Sequence, residues 1–162
     1  MYRIRKARMK DLPQILEIYS YARDFMARNG NPSQWGKTNP PEALLRQDIA
    51  QEKLYAVCTE DEIHGVFFFA VGDDPTYAVI EKGRWLLDTP YGTIHRIASK
   101  GSGGILKACV SFCAGICPHL RIDTHEDNRI MQRTVEKLGF HRCGIIYVSD
   151  GSPRIAYERV AE

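Results

Sequence analysis

Apolar and polar positions alternate weakly over residues 2–8, which predicts a short strand. From residue 12 the period changes. Leu12, Ile15, Leu16, Ile18 and Tyr19 form a stripe at helical spacing that runs on toward Met26, with Asp11 as the expected N-cap and Pro13 in the first turn. Asn29-Gly30-Asn31-Pro32 ends it, and Pro41-Glu42 opens a second helix to about residue 51. Residues 54–58 and 63–71 read as two strands, joined through Thr59-Glu60-Asp61-Glu62 in a predicted hairpin. Residues 76–84 follow neither period, and 85–90 read as loop. A strand at 93–98 then runs through Ser99-Lys100-Gly101-Ser102-Gly103-Gly104 into a helix at 105–116, where Ile105, Cys109, Phe112 and Ile116 share a face. A strand at 120–124 follows, then a helix opened by Asn128 and stopped at Gly139-Phe140. Strands at 143–148 and 154–159, with Asp150-Gly151 as a hairpin signal, complete the chain. The pattern predicts a mixed α+β protein, a largely antiparallel sheet flanked by about four helices, and one domain over residues 1–162.

Composition narrows the class of partner. The 162 residues are 44% apolar and 26% charged, with a net charge of +2, which is too little to indicate nucleic acid. The basic cluster Arg3, Arg5, Lys6, Arg8 and Lys10 reads as a solvated edge. The longest apolar run, residues 66–71, suits a buried strand and is too short to span a membrane, and the first residues lack the apolar core of a signal peptide. Five cysteines, an odd number, point away from a disulfide framework and toward a reducing cytoplasm. Cys109, Cys113 and Cys117 recur every four residues, without the close Cys-x-x-Cys pair of zinc sites. They read as small buried hydrophobes, and no metal is expected.

A strand, a Gly-rich loop and a helix in succession present free backbone N–H groups and a positive helix end to phosphate, and Lys100 and Ser102 add donors. The loop matches neither G-x-G-x-x-G nor the Walker pattern, and a flexible connector is the plainer reading. The second signal is the run from Ile122-Asp123-Thr124-His125-Glu126-Asp127-Asn128 to Glu136-Lys137-Leu138-Gly139-Phe140. Together these resemble the GNAT superfamily of acyl-CoA-dependent N-acetyltransferases, over nearly the whole chain.

That resemblance implies a GNAT-like fold and acetyl-CoA as co-substrate. It implies backbone contacts from Ile97, Ala98 and Ser99 to the pantetheine arm. It places the pyrophosphate at Lys100, Gly101, Ser102, Gly103, Gly104 and Ile105, and Asn128 near the thioester. The reaction it implies is direct attack of a primary amine on the thioester through a tetrahedral intermediate. A small-molecule amine is the expected acceptor, in a cleft lined by residues 26–38 and 73–92, where Trp35, Tyr77, Trp85 and Tyr91 either shape the cleft or belong to the core. No nucleic acid or membrane partner is expected, and a homodimer is compatible with the family. The chain departs from the family's pattern at Val135, where many members carry a Tyr as general acid.

Tyr147, on the strand after that helix, is the first candidate to replace the acid, ahead of Tyr91 and Tyr157; each also reads as a core-edge residue. His95 and His125 are the candidate bases. Strand alternation puts His95 and Arg96 on opposite faces, so only one is expected to face the acceptor. Asp123 shares a face with His125, while His125, Glu126 and Asp127 also read as charge and caps at a helix start. A non-catalytic acyl-CoA-binding sensor is the alternative.

Overall fold

A computed structural model of the chain describes residues 1–60 and 62–160. Its strands are β1 (Arg3–Lys6), β2 (Leu54–Cys58), β3 (Ile63–Val71), β4 (Gly92–Ser99), β5 (Leu120–Thr124), β6 (His141–Tyr147) and β7 (Pro153–Arg159). Its helices are α1 (Leu12–Arg28), α2 (Glu42–Ala50), α3 (Ile105–Ile116) and α4 (Arg129–Lys137). Among the described residues the strands form one sheet in the order β1-β2-β3-β4-β5-β7-β6. Every neighbouring pair is antiparallel except β4 and β5. The last strand therefore enters between β5 and β6. None of the helices described is long and apolar enough to cross a membrane.

Strand alternation divides the core by face. Leu54 and Ala56 of β2, with Val66 and Ala98, meet Ile15, Tyr19 and Leu45 of α1 and α2. Val57, Phe67, Phe69, Ile94 and Ile122 point to the opposite face, against Ile105, Cys109, Cys113 and Val135 of α3 and α4. Burial pushes the Cys109 thiol well above its ordinary value, as befits a thiol used for packing. Phe140 also enters this core, so the Gly139-Phe140 stop both ends α4 and pins it to the sheet.

Helices α1 and α2 cover only the β1–β4 half of their face. A strap, residues 72–91, covers the other half, with Tyr77 and Tyr91 packed on Ile146 and Ala156. The strap docks through main chain. Glu81 and Ile145 exchange N–H···O bonds of 2.8 Å, and the Arg84 N–H reaches the Cys143 carbonyl at 3.0 Å. Gly83 permits this approach, because a Cβ there would lie 1.8 Å from the Cys143 carbonyl oxygen. These contacts explain why residues 76–84 show no periodicity: their order comes from backbone pairing with β6.

One expectation changes in detail. Asp11 does not cap α1. Its buried carboxylate takes the Arg8 N–H at 2.8 Å and the Arg5 guanidinium at 2.7 and 3.1 Å, closing the 3-10 turn Met9–Asp11 that precedes the helix. Strands β2 and β3 pair as the predicted hairpin requires, with a 3.0 Å bond from the Thr59 N–H to the Glu62 carbonyl; Asp61 of that turn lies outside the described residues.

Candidate functional site

Strands β4 and β5 stay together for two residue pairs, Gly92 with Leu120 and Thr93 with Arg121, and then part. A bulge accompanies the separation. Phe68 faces His95 and Val66 faces Ala98, so Arg96 and Ile97 lie opposite Phe67 alone. A bulge bends its strand and re-aims its side chains. Arg96 adopts a left-handed backbone, φ 53°, a conformation that costs about 1–3 kcal/mol and persists only where the surroundings impose it. Here the buried Asp48 takes the Arg96 guanidinium at 3.0 and 2.9 Å, the guanidinium sits 4.5 Å over the Phe68 ring, and the Tyr19 hydroxyl donates to the Arg96 carbonyl at 2.6 Å. The result is a strand edge, beyond Thr93, that no strand covers among the described residues.

Two cavities open on this edge. The first, about 540 Å3, runs between α1 and α4, past Ile97, Ala98, Ser99, Gly101, Ser102, Ile105 and Asn128. The α4 N-cap Asn128 accepts the Met131 N–H at 3.1 Å, and its amide donates to Gln34 Oε1 at 3.1 Å, tying α4 to the loop between α1 and α2. Gly104, φ 78°, turns the chain into α3 with no side-chain cap. No main-chain acceptor among the described residues takes the N–H of Ser102, Gly103 or Gly104. With the open first turn of α3 they form a set of donors suited to an anion.

The second cavity, about 370 Å3, lies between the α1/α2 layer and the strap, and shares Met26, Ile97, Asn128 and Met131 with the first. His95 and Asp123 line it. His95 Nε2 lies 2.9 Å from Asp74 Oδ2, and its Nδ1 lies 3.7 Å from Asp123 Oδ1. The Tyr77 hydroxyl donates to that same Asp123 oxygen at 2.6 Å, and no described group hydrogen-bonds the other one. Burial pushes the Asp74 carboxyl up, but the hydrogen bond and charge of His95, with the Thr76 N–H, outweigh it and hold the group at about 2. Burial and the neighbouring Asp123 push the Tyr77 hydroxyl well above its ordinary value, so it remains a donor.

The predicted residues divide accordingly. His95 lies at the second cavity, and so does Arg96, against the alternation expected of a regular strand: the bulge breaks that alternation. Ile97, Ala98, Ser99, Gly101, Ser102, Ile105 and Asn128 line the first cavity; Lys100, Gly103 and Gly104 do not. The Lys100 ammonium is paired with Glu62, and the Ser102 hydroxyl with His64 at 2.8 Å. Tyr147 lines neither cavity. It is exposed on β6, separated from β5 by β7, and its hydroxyl donates to Glu81 at 2.9 Å, which raises its pKa. His125 lines neither cavity; its Nδ1 accepts the Asp127 N–H at 3.0 Å and so closes the turn that leads into α4. The Tyr157 hydroxyl donates to Glu136 at 3.1 Å, and the Tyr91 hydroxyl accepts the Asp74 N–H at 2.8 Å. Tyr77 and Tyr91 are core; Trp35 lines the second cavity, and Trp85 packs from within the strap against that core. Val135 is buried in the core. Sequence reasoning missed Asp74, and also Arg129 and Arg133 at the first cavity, whose four-residue spacing on α4 was the available signal.

No protein-family model and no curated protein sequence matches the chain. Solved structures do. A GNAT-family acetyltransferase from Streptococcus agalactiae is 30% identical, covering 99% of this chain and 96% of its own, with a TM-score of 0.87. The chain belongs to the GNAT family. A putative acetyltransferase from Staphylococcus aureus, 22% identical over 97% of both chains with a TM-score of 0.68, shares the fold. So does a ribosomal-protein-alanine N-acetyltransferase from Brucella melitensis, 15% identical over 98% of this chain and 99% of its own, with a TM-score of 0.66. Membership of the GNAT family carries acyl transfer as its general chemistry and acetyl-CoA as its co-substrate. The first cavity suits such a molecule: an uncovered strand edge for an amide-bearing arm, free N–H groups for phosphate, and Arg129 and Arg133 beside them.

Proposed function

We propose that the protein, acting as one domain over residues 1–162, transfers an acetyl group from acetyl-CoA to the primary amine of a small molecule. The observation that carries this reading is the meeting of the two cavities at Ile97 and Asn128, with His95, bonded to Asp74, at the second. The CoA arm occupies the first cavity and delivers its thioester to the junction. The acceptor enters through the second.

An amine arrives as an ammonium and must lose a proton before it attacks. Asp123 offers a free carboxylate oxygen to hold the cation. When His95 Nε2–H donates to Asp74, Nδ1 is left as the acceptor of the proton. Asp74 thereby fixes the tautomer and supports the imidazolium, as the buried carboxylate of a Ser-His-Asp triad does. The amine nitrogen then bonds to the thioester carbon and gives up its second proton to water, the oxyanion collapses, the C–S bond breaks, and CoA leaves as its thiolate with a neutral amide as product. The His95 proton passes to solvent or to that thiolate. An ordinary thiol has a pKa of about 8.5, so the thiolate departs without a dedicated acid. This accommodates Val135 in place of a tyrosine, and the positions of Tyr91, Tyr147 and Tyr157 away from the junction.

Calorimetry with CoA, followed by thiol release from acetyl-CoA over a panel of primary amines, tests the reading. Micromolar to millimolar binding and amine-dependent release are expected. Binding with no release for any amine would favour a sensor, and no binding would remove both.

A further inference from the structure

Arg154 lines the second cavity and is 8% exposed. Its guanidinium donates only to main-chain carbonyls, Pro153 at 2.9 Å and Gln34 at 3.3 Å. Among the described residues it forms no ion pair. The comparable arginines are matched: Arg96 with Asp48, and Arg121 with Glu158. Asp150, which lines the same cavity, is exposed; its hydrogen bonds go to the Ser152 N–H at 2.9 Å and to the Ser152 hydroxyl. These, with the more distant Arg154 charge, hold its carboxyl below its ordinary value, but it forms no ion pair with Arg154. A buried guanidinium keeps donors for which it needs an anion, and an unpaired buried charge is destabilising until one arrives.

Sheet register places this cation relative to Asp123. Asp123 of β5 faces Ala156 of β7, and Arg154 lies two residues earlier on β7, on the same face. Such diagonal neighbours stand roughly 7–8 Å apart. One face of the sheet thus offers an anion with a free oxygen, the His95 base and, one diagonal step away, a cation that forms no ion pair among the described residues.

We infer that the acceptor is a small amino-carboxylate, of which a free amino acid is the simplest case. Its ammonium meets Asp123 and His95, and its carboxylate meets Arg154, whose planar fork can take both oxygens. A cavity of about 370 Å3 suits a molecule of that size. The two charges also fix which end faces the thioester. The inference rests on the acetyl-transfer reading and narrows it.

The test is thiol release from acetyl-CoA with each free amino acid beside its carboxamide and its decarboxylated amine. For the accepted side chain, kcat/KM is expected to be about ten- to hundredfold higher for the free carboxylate. Arg154→Gln should bring that ratio close to one, while Arg154→Lys keeps part of it. A purely structural role for Arg154 would lower all forms alike and leave the ratio unchanged, which overturns the inference. So does equal use of acid, amide and amine by the native protein. Absence of release with every compound overturns the acetyl-transfer reading itself, and the inference with it.

Discussion

Two clusters of acid, histidine and arginine lie on the same face of the sheet, both under the strap, and they differ in what they leave unpaired. In the first, Glu158 is fully buried. One of its oxygens takes the N–H groups of Leu86 and Leu87 at 2.6 and 3.3 Å; the other takes His119 at 2.6 Å and Arg121 at 2.9 Å. Arg121 is further held between the rings of Trp85 and Tyr91, at 4.0 and 3.9 Å. In the second, Asp123 keeps one oxygen free, His95 Nδ1 lies 3.7 Å from the oxygen that Tyr77 bonds, and Arg154 forms no ion pair among the described residues. The same residue types serve both. A saturated cluster fastens the strap to the sheet, whereas an unsaturated one facing a cavity has capacity for a ligand. Arg121 and Asp123, two positions apart on β5, belong one to each.

The largest effect should come from breaking the sealed cluster. Glu158→Gln leaves buried Arg121 and His119 without their anion, and a loss of about 3–5 kcal/mol in stability is expected, measured by denaturant unfolding. Next comes the open cluster: Asp123→Asn should leave the melting temperature nearly unchanged but lower kcat/KM about ten- to hundredfold in the thiol-release assay. If Asp123→Asn proves as damaging to the fold as Glu158→Gln, the distinction between the clusters fails.

The strap spans both clusters, so Gly83→Ala should affect both. Its new Cβ meets the Cys143 carbonyl, and overpacking of this kind costs about 1–3 kcal/mol. Lower stability together with reduced activity is expected, because Asp74 rides on the same segment. The smallest effect is in acid. Asp74 stands at about 2, against an ordinary value of 3.8. Its contribution is complete above the ordinary value and is lost as pH falls toward the folded one. The native protein should therefore lose stability between about pH 4 and pH 2, and Asp74→Asn should lose less over that window while starting lower at neutral pH. Parallel unfolding curves for the two proteins across that range would contradict the His95–Asp74 pairing.

The helices and strands with a regular apolar period were legible in the sequence, as were Asn128 and the Gly139-Phe140 stop, since each is set by local spacing. The strap was not, because backbone pairing to β6 and the side chain of Glu158 hold it, and neither leaves a periodic trace. Tyr147 was placed by its nearness in sequence to α4, but β7 inserts between β5 and β6 and carries that position away from the cleft. His95 and Arg96 were separated by regular alternation, which the bulge breaks. His95 and Arg154 come from distant parts of the chain, and only the folded sheet makes them neighbours of one cavity, with Asp74 behind His95.

The most direct test mixes the purified protein with acetyl-CoA and its preferred amine, then quantifies free CoA and N-acetylated product together. Equal amounts of the two are expected from the native protein, and His95→Gln, folded to the same melting temperature, should make both about 10²–10⁴ times more slowly. CoA release without acetylated product, or a His95→Gln protein as fast as the native one, would contradict the account.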